Sequence, residues 1–206
     1  MSDVDLPQHL PVMVDEATRL LQPERGGTFV DCTLGLGGHT RALLEHGAAR
    51  VIGFDRDPQA LALAGQVLDP YGARVQLVHA DYRTLDAALD DLGVALVAGA
   101  LADLGVSSLQ FDAEGRGFSF RRDEPLDMRM DQSQGQTAAE RLATVEEADL
   151  ADVIYQFGEE RRSRRVARAI VMSRERAPIE TTGQLAAIVR RALSGQGWQR
   201  IDPATR

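Results

Sequence analysis

Apolar runs and amphipathic segments alternate through the first half of the chain. The apolar runs have the length of buried strands and cover Thr28 to Thr33, Val51 to Asp55, Val75 to His79 and Val94 to Ala102. Leucine and alanine recur at helical spacing around them, which predicts helices over about Val14 to Leu21, Thr40 to His46, Pro58 to Leu68 and Leu85 to Leu92. Continuous apolar strands separated by amphipathic helices predict an α/β fold with a parallel sheet covered on both faces.

The pattern changes after Ser108. Residues 109–135 are polar, arginine-rich and irregular, and three helices are predicted to follow. The first has a capping-box sequence at Thr144 to Glu147 and an apolar face of Leu150, Val153, Ile154 and Phe157. The second runs from about Glu159 to Glu175, and the third carries Leu185, Ile188, Val189 and Leu193 and ends near Gly195. The sequence thus predicts a helical block that is appended to the sheet domain or inserted into it.

A glycine-rich turn joins the first predicted strand to the next helix. Gly35, Gly37 and Gly38 carry no Cβ and can take positive φ, so a ligand can approach the backbone closely. The N–H groups that open the helix favour a negatively charged group. Such a turn is also found in α/β domains that bind no nucleotide, so the glycines alone are a weak signal.

Asp55 strengthens the prediction of a nucleoside site. It follows Gly35 by twenty positions and ends the second apolar run. A carboxylate at this place can accept hydrogen bonds from both hydroxyls of a ribose. The sequence therefore predicts that a nucleotide or nucleoside cofactor binds here.

Other polar side chains also fall where the predicted strands end. They are Asp31, Asp55, Asp81, Tyr82 and Asp103. In parallel sheets, ligands bind outside the carboxyl ends of the strands, so this coincidence predicts an active site. Asp81 could accept the amine of an adenine on which Tyr82 stacks, or Asp81 could simply be the N-cap of the next helix.

Asp103 begins the segment Asp103 to Ser108, after the fourth strand. Methylation of an exocyclic amine needs hydrogen-bond acceptors that orient the nitrogen lone pair, and Asp103 could be one of them. Much of such catalysis can come from positioning, because the methyl donor is already activated. The alternatives are that Asp103 contacts only the cofactor or caps a turn.

Composition excludes several classes of protein. Net charge is −8, which argues against indiscriminate nucleic-acid binding, and no apolar run has the roughly twenty residues needed to cross a bilayer. Met1 to Leu6 is acidic and unlike a signal peptide. The one cysteine, Cys32, is expected to be a small buried residue and not a nucleophile. These features predict a cytoplasmic protein, and no segment has metal-ligand spacing.

All 23 basic residues are arginines, and they concentrate in the second half of the chain. The first 110 residues have 7 arginines and 15 acidic residues, whereas the remainder has 16 of each. Arg161, Arg164, Arg165 and Arg168 share one predicted helix face, which is a candidate contact for an RNA backbone. The alternative is a solvated face paired with Glu159 and Glu160.

Taken together, these motifs resemble those of a known family, the bacterial MraW-like methyltransferases, which make N4-methylcytidine in 16S ribosomal RNA. The matching segments are His9–Val12, Asp31–His39, Asp55–Ala60, Asp103–Ser108, Arg116–Phe120, Pro125–Met130, Gly158–Arg161, Arg168–Val171 and Pro203–Arg206. The Pro-Leu-Asp-Met-Arg-Met segment at 125–130 is highly specific.

The resemblance implies a Rossmann-like sheet that binds S-adenosylmethionine and an inserted helical domain. It assigns cofactor contacts to Gly35, Gly37, Gly38, His39, Asp55, Tyr82, Asp103 and Gln110. The family often has phenylalanine at position 82, and tyrosine keeps a ring that can stack. Asp103 is also the candidate catalytic residue, the expected partner is 16S ribosomal RNA or the small ribosomal subunit, and a homodimer is compatible with the sequence.

The family continues beyond the Pro-Ala-Thr-Arg motif, so the resemblance implies a C-terminally truncated chain. The expected domains are residues 1–108 for the cofactor, 109–200 for a helical RNA-binding insert, and 201–206 for the return to the first domain. A second candidate for an RNA-binding surface is the region of Arg116–Phe120 and Pro125–Met130. The alternative is that its arginines form buried pairs with carboxylates, such as Asp127 with Arg129, that stabilise the fold. Rival functions are an NAD-dependent oxidoreductase and a non-catalytic assembly factor that binds ribosomal RNA.

Overall fold

The chain folds into two compact units, Met1–Ser108 and Leu109–Arg206, in a computed structural model. The structure describes residues 11–107, 110–111, 113–194 and 202–205. Within these residues no helix is both long and apolar enough to span a membrane.

The first unit is a parallel sheet with helices on both faces. Its strands are β1 (Thr28–Asp31), β2 (Arg50–Asp55), β3 (Val75–His79) and β4 (Gly99–Leu101). Its helices are α1 (Val14–Leu21), α2 (Gly38–Glu45), α3 (Pro58–Leu68) and α4 (Leu85–Asp91). The strand order is β3-β2-β1-β4 and every pair is parallel, which confirms the α/β class predicted from the sequence.

Successive residues of each strand face opposite sides of the sheet, so the sheet has two cores. On one face Phe29 and Val51 pack with Leu43 of α2 and Leu68 of α3. On the other face Val30, Ile52 and Phe54 pack with residues of α4, including Leu85 and Leu89. Burial of these apolar side chains is the main force that holds the strand ends in place.

The fourth strand is shorter than predicted. The apolar run from Val94 to Ala102 forms a strand only at Gly99–Leu101, and Leu96 is 88% exposed. Among the described residues β4 pairs with β1 alone, so its second edge has no neighbour there. Apolar composition predicted a buried strand, but strand length also depends on pairing, which the local pattern does not report.

Four helices whose bounds lie within the described residues form the core of the second unit. They are α5 (Ala138–Thr144), α6 (Glu147–Gly158), α7 (Ser163–Arg174) and α8 (Thr182–Leu193). Each contributes to one core, which includes Leu142, Leu150, Val166, Ile170 and Leu193. The irregular segment before α5 joins this core through buried Leu126 and through a bridge between Pro125 and Thr181.

The sequence predicted three helices here and missed α5, and two further details of the helical prediction are also wrong. Thr144 is the last residue of α5, and Glu146, which makes no side-chain cap bond, is the N-cap of α6. Capping boxes form instead at Thr137 with Glu140 and at Thr181 with Gln184. The predicted apolar face of α6 is also displaced, because Val153 and Phe157 are exposed while Leu150 and Ala151 are buried.

Candidate cofactor site at the carboxyl edge of the sheet

The four strand ends lie along one edge, because all four strands are parallel. Asp31 ends β1 and Asp55 ends β2, while Asp81 and Asp103 each follow the end of their strand by two residues. The order of the sheet reverses between β1 and β4, and open α/β sheets bind ligands at such a point. The glycine turn follows β1, so it lies at this point.

The glycine turn is open above Gly35 and closely packed at Gly37. Gly35 has φ +53, and a Cβ there would have no heavy atom nearer than the Thr33 carbonyl oxygen, 4.0 Å away. Gly37 has φ +81, and a Cβ there would lie 2.8 Å from Leu68. Gly38, which was expected to supply positive φ, is instead the first residue of α2 and leaves room for Pro11.

Asp55 anchors two backbone turns. One carboxylate oxygen accepts the N–H of Gly35 at 2.8 Å, and the other accepts the N–H of Asp57 at 2.9 Å. Each carboxylate oxygen has two lone pairs, so each keeps one acceptor position for a ligand hydroxyl. Burial raises the pKa of Asp55, although these backbone hydrogen bonds lower it in part.

Asp31 and Thr40 form a buried clamp across the glycine turn. The Thr40 hydroxyl donates to one carboxylate oxygen of Asp31 at 2.8 Å, and the Thr33 N–H donates to the other at 3.2 Å. Both side chains are fully buried, and burial raises the pKa of Asp31. Thr33 and Thr40 were not among the predicted site residues. Their positions on either side of the three glycines are the sequence signal that could have indicated them.

Asp103 is attached to the turn by its backbone. Its N–H donates to the Thr33 hydroxyl at 2.7 Å, which ties the end of β4 to the end of β1. Its carboxylate is 54% exposed and lies 3.9 Å from Nε2 of the buried His39. The structure thus brings Gly35, His39, Asp55 and Asp103 to one edge.

Asp81 is the N-cap of a 3₁₀ turn, Tyr82–Thr84, as the simpler interpretation predicted. Its carboxylate also pairs with Arg83 at 2.9 Å and lies 3.6 Å from Arg56, and the hydrogen bond with Arg83 lowers its pKa. Tyr82 is 46% exposed, so part of its side chain is accessible to solvent. Both residues follow β3 at the same edge, beside the end of β2.

Gln110 and Cys32 lie apart from this group of carboxylates in their chemistry. Gln110 belongs to the second unit, where it is buried, and its role as a cofactor contact stays a prediction. Cys32 is half-buried just after β1, and burial raises the pKa of its thiol, which disfavours the thiolate that a nucleophile needs. His9, Leu10, Ser108 and Arg206 of the matching segments lie outside the described residues.

Arginine contacts stabilise the irregular segment of the second unit, and one of these arginines comes from α8. Arg129 pairs with Asp127 at 2.8 Å, so the structural interpretation of that pair is correct. Buried Arg116 donates to the carbonyls of Arg129 and Met130. Arg190 pairs with Asp202 and lies over the ring of Phe120. These contacts stabilise the fold, which leaves fewer arginines of this region for RNA.

A parallel sheet with this turn and this row of carboxylates is typical of α/β domains that bind nucleoside-containing cofactors. The sequence model of the MraW methylase family matches residues 7–206, and the chain belongs to that family. The resemblance noted from the sequence is therefore confirmed.

Curated relatives named ribosomal RNA small subunit methyltransferase H are similar over nearly the whole chain. The relative from Geotalea uraniireducens is 49% identical over 201 residues, which are 96% of this chain and 64% of the relative. The relative from Sorangium cellulosum is 49% identical over 97% of this chain and 63% of its own length. The chain thus spans slightly less than two thirds of these proteins.

A solved rRNA methylase from Streptococcus thermophilus aligns with 40% of this chain and 49% of its own, at 23% identity and a TM-score of 0.33. That similarity is too low to support an argument.

Proposed function

We propose that this chain is the cofactor-binding part of a methyltransferase that moves a methyl group from S-adenosylmethionine to the N4 amine of a cytidine in 16S ribosomal RNA. Family membership supports the reaction class, and the names of the relatives support the RNA substrate. The proposal depends on one observation at the carboxyl edge of the sheet. Asp55 accepts a hydrogen bond from the glycine turn, and Asp103 is hydrogen-bonded to Thr33 at the start of the same turn.

The residues at this edge fit a nucleoside with a cationic group. Asp55 keeps acceptor positions for ribose hydroxyls, the exposed ring of Tyr82 can stack on an adenine, and the space above Gly35 is open. Four carboxyl groups lie along the edge, and the two arginines beside it, Arg56 and Arg83, both face Asp81. An acidic edge favours S-adenosylmethionine, which carries a net positive charge, over NAD, whose pyrophosphate is anionic.

Asp103 has the chemistry to orient the acceptor amine. The lone pair of an aromatic amine is delocalised into its ring, and an acceptor for the amine N–H localises that lone pair on the nitrogen. The Asp103 carboxylate is half exposed, so a base can reach it from solvent. The amine loses one proton in the reaction, and this carboxylate can take it and pass it to water. S-adenosylmethionine supplies an activated methyl group when it is bound.

Thr33 holds Asp103 in position for this role, and His39 lies beside its carboxylate. The backbone bond to Thr33 fixes the residue beside the turn, and Nε2 of His39 lies 3.9 Å from its carboxylate. Positioning of this kind reduces the freedom that the carboxylate must lose when the amine arrives.

Calorimetric titration tests the cofactor assignment. Asp55→Ala should weaken S-adenosylmethionine binding by about tenfold or more, because it removes a charged acceptor. Asp91→Ala, at an exposed carboxylate near the end of α4, is the matched control and should leave the affinity unchanged. Equal affinity of wild type and Asp55→Ala would remove the ribose assignment.

The same titration separates the rival functions. Binding of NAD but not of S-adenosylmethionine would replace the proposal with an oxidoreductase. Binding of S-adenosylmethionine without methyl transfer to ribosomal RNA, in a protein extended to the length of the relatives, would favour a non-catalytic assembly factor.

A further inference from the structure

Arginines that make no hydrogen bond or ion pair with the described residues line one face of α7 and the turn before it. We define the arginine face as Arg161, which precedes the helix, and Arg164, Arg165 and Arg168 of α7, all of which are exposed. The opposite side of the helix is buried in the core of the second unit through Ser163, Val166, Ala167 and Ile170. The helix is therefore held by its apolar side, and the arginines extend into solvent.

None of these four guanidinium groups has an ion pair or a hydrogen bond among the described residues. The expected pairing with Glu160 does not occur, because the Glu160 side chain is buried and accepts the backbone N–H of Arg162. Arg164 and Arg168 are four residues apart in α7, a spacing at which like charges destabilise a helix. An anionic partner would relieve this repulsion.

An exposed aromatic ring precedes the arginine face in the chain. Phe157 is in the last turn of α6 and is 80% exposed. Arg161 follows it by four positions, so their Cα atoms are at most about 14 Å apart. α6 and α7 also pack against each other. Surfaces that bind single-stranded nucleic acid combine basic groups for the backbone with aromatic rings for the bases.

We propose that the arginine face and Phe157 together bind an unpaired segment of RNA, with the guanidinium groups on phosphates and the Phe157 ring stacked on a base. The proposal rests on the proposed function in one respect, namely that the substrate is RNA. An acidic protein could use the same charges, but it would not require the exposed ring in the same way.

The test is a fluorescence anisotropy titration of the 206-residue chain with a labelled, unstructured RNA oligonucleotide and with a duplex of the same length. The triple variant R164A/R165A/R168A should raise the Kd for the single strand by about tenfold or more. Its plot of log K against log salt should be shallower by about 2, because each phosphate contact on a single strand contributes about 0.7 to the slope.

The matched control is R121A/R176A/R191A. These arginines are also exposed in the second unit, and their guanidinium groups make no hydrogen bond or ion pair among the described residues. The change in net charge is therefore identical. The control should change the Kd by less than about threefold, since charges that do not contact the RNA are screened by salt. Equal weakening by both triple variants would overturn the proposal, because the effect would then be general electrostatics.

Phe157→Ala tests the stacking contact. It should raise the Kd for the single strand by about fivefold or more, without changing the salt dependence. Unchanged affinity, or equal affinity of wild type for single strand and duplex, would overturn the assignment to unpaired RNA. If polyglutamate displaced the labelled RNA as well as unlabelled RNA does, the assignment would also be overturned, and an acidic protein would be the favoured partner.

The outcome is distinguishable from failure of the proposed function. If the chain binds S-adenosylmethionine but no RNA, this inference fails and the cofactor site stands. If it binds RNA through the arginine face but no S-adenosylmethionine, the cofactor site fails and this inference stands.

Discussion

The carboxyl edge of the sheet and the arginine face are both rich in charge, but their charges are arranged in opposite ways. At the edge, Asp31 and Asp55 are fixed by hydrogen bonds to neighbouring backbone and hydroxyl groups. On the arginine face, four exposed guanidinium groups make no hydrogen bond or ion pair with other described residues. A fixed set of acceptors suits a small ligand of one shape, whereas free, long side chains suit a flexible polymer.

The largest expected effect separates chemistry from substrate binding. In a protein extended to the length of the relatives, Asp103→Ala should lower kcat by about 100-fold or more, because the amine loses the group that orients it. The Kd for RNA should not change. Methyl incorporation from a radiolabelled donor measures the rate, and anisotropy measures the affinity.

R164A/R165A/R168A should give the opposite result, with a weaker Kd for RNA and an unchanged kcat at saturating RNA. If both variants changed the same parameter, the proposed division of labour between the edge and the arginine face would be wrong.

A smaller effect concerns the packing of the glycine turn. Gly37→Ala should destabilise the chain by about 2 kcal/mol or more, because alanine is strained at this φ and its Cβ would press on buried Leu68. Gly93→Ala is the control, since Gly93 has φ +66 and no heavy atom near its would-be Cβ. It should cost only the backbone strain of about 1 kcal/mol. Urea denaturation measures both, and equal losses would show that the turn is not tightly packed.

Two arginines of α7 should contribute differently to the free energy of unfolding, although they belong to the same helix. Arg174 donates to the carbonyls of Leu142 and Val145 at 2.6 and 2.7 Å, so Arg174→Ala should cost about 1–2 kcal/mol of stability. Arg165→Ala should change stability by no more than about 0.5 kcal/mol, as is usual for an exposed residue. A comparable loss at Arg165 in urea denaturation would show that the arginine face serves the fold.

The smallest expected effect is a pH dependence at Asp31. Burial raises the pKa of this carboxyl, so the folded state holds the proton more tightly than the unfolded state. Its contribution to stability is full below the unfolded pKa of about 3.9 and is lost as the pH rises through the folded pKa. Asp31→Asn should therefore gain stability relative to wild type as the pH is raised from about 4 towards neutrality. Urea denaturation at several pH values measures this difference, and a constant difference would contradict it.

The sequence predicted the first unit well because the signals there are local. β3 and α1 have the bounds that the pattern indicated, and Asp57 and Pro58 begin α3 as their types favour. The row of carboxylates at the edge followed from the parallel arrangement alone. The contacts of Asp31 with Thr40 and of Asp103 with Thr33 could not be predicted, because they depend on the path of the backbone through the glycine turn.

The second unit was harder to predict because one sequence signal has several outcomes. Threonine followed three residues later by glutamate or glutamine occurs at 137, 144 and 181, but only the first and third form capping boxes. Thr144 is still inside α5, so its hydroxyl bonds to the carbonyl of Glu140 instead. The same limit applies to arginine, since nothing in the sequence separates Arg174, which caps carbonyls, from the exposed Arg165.

The double role of Asp55 has a consequence for motion within the first unit. One carboxylate holds the amide protons of both Gly35 and Asp57, so the loop after β1 cannot open without loosening the bend after β2. These two amides should therefore exchange with deuterium at a common rate, as members of one cooperative opening unit. A hydroxyl bound at the same carboxylate would slow both exchanges together.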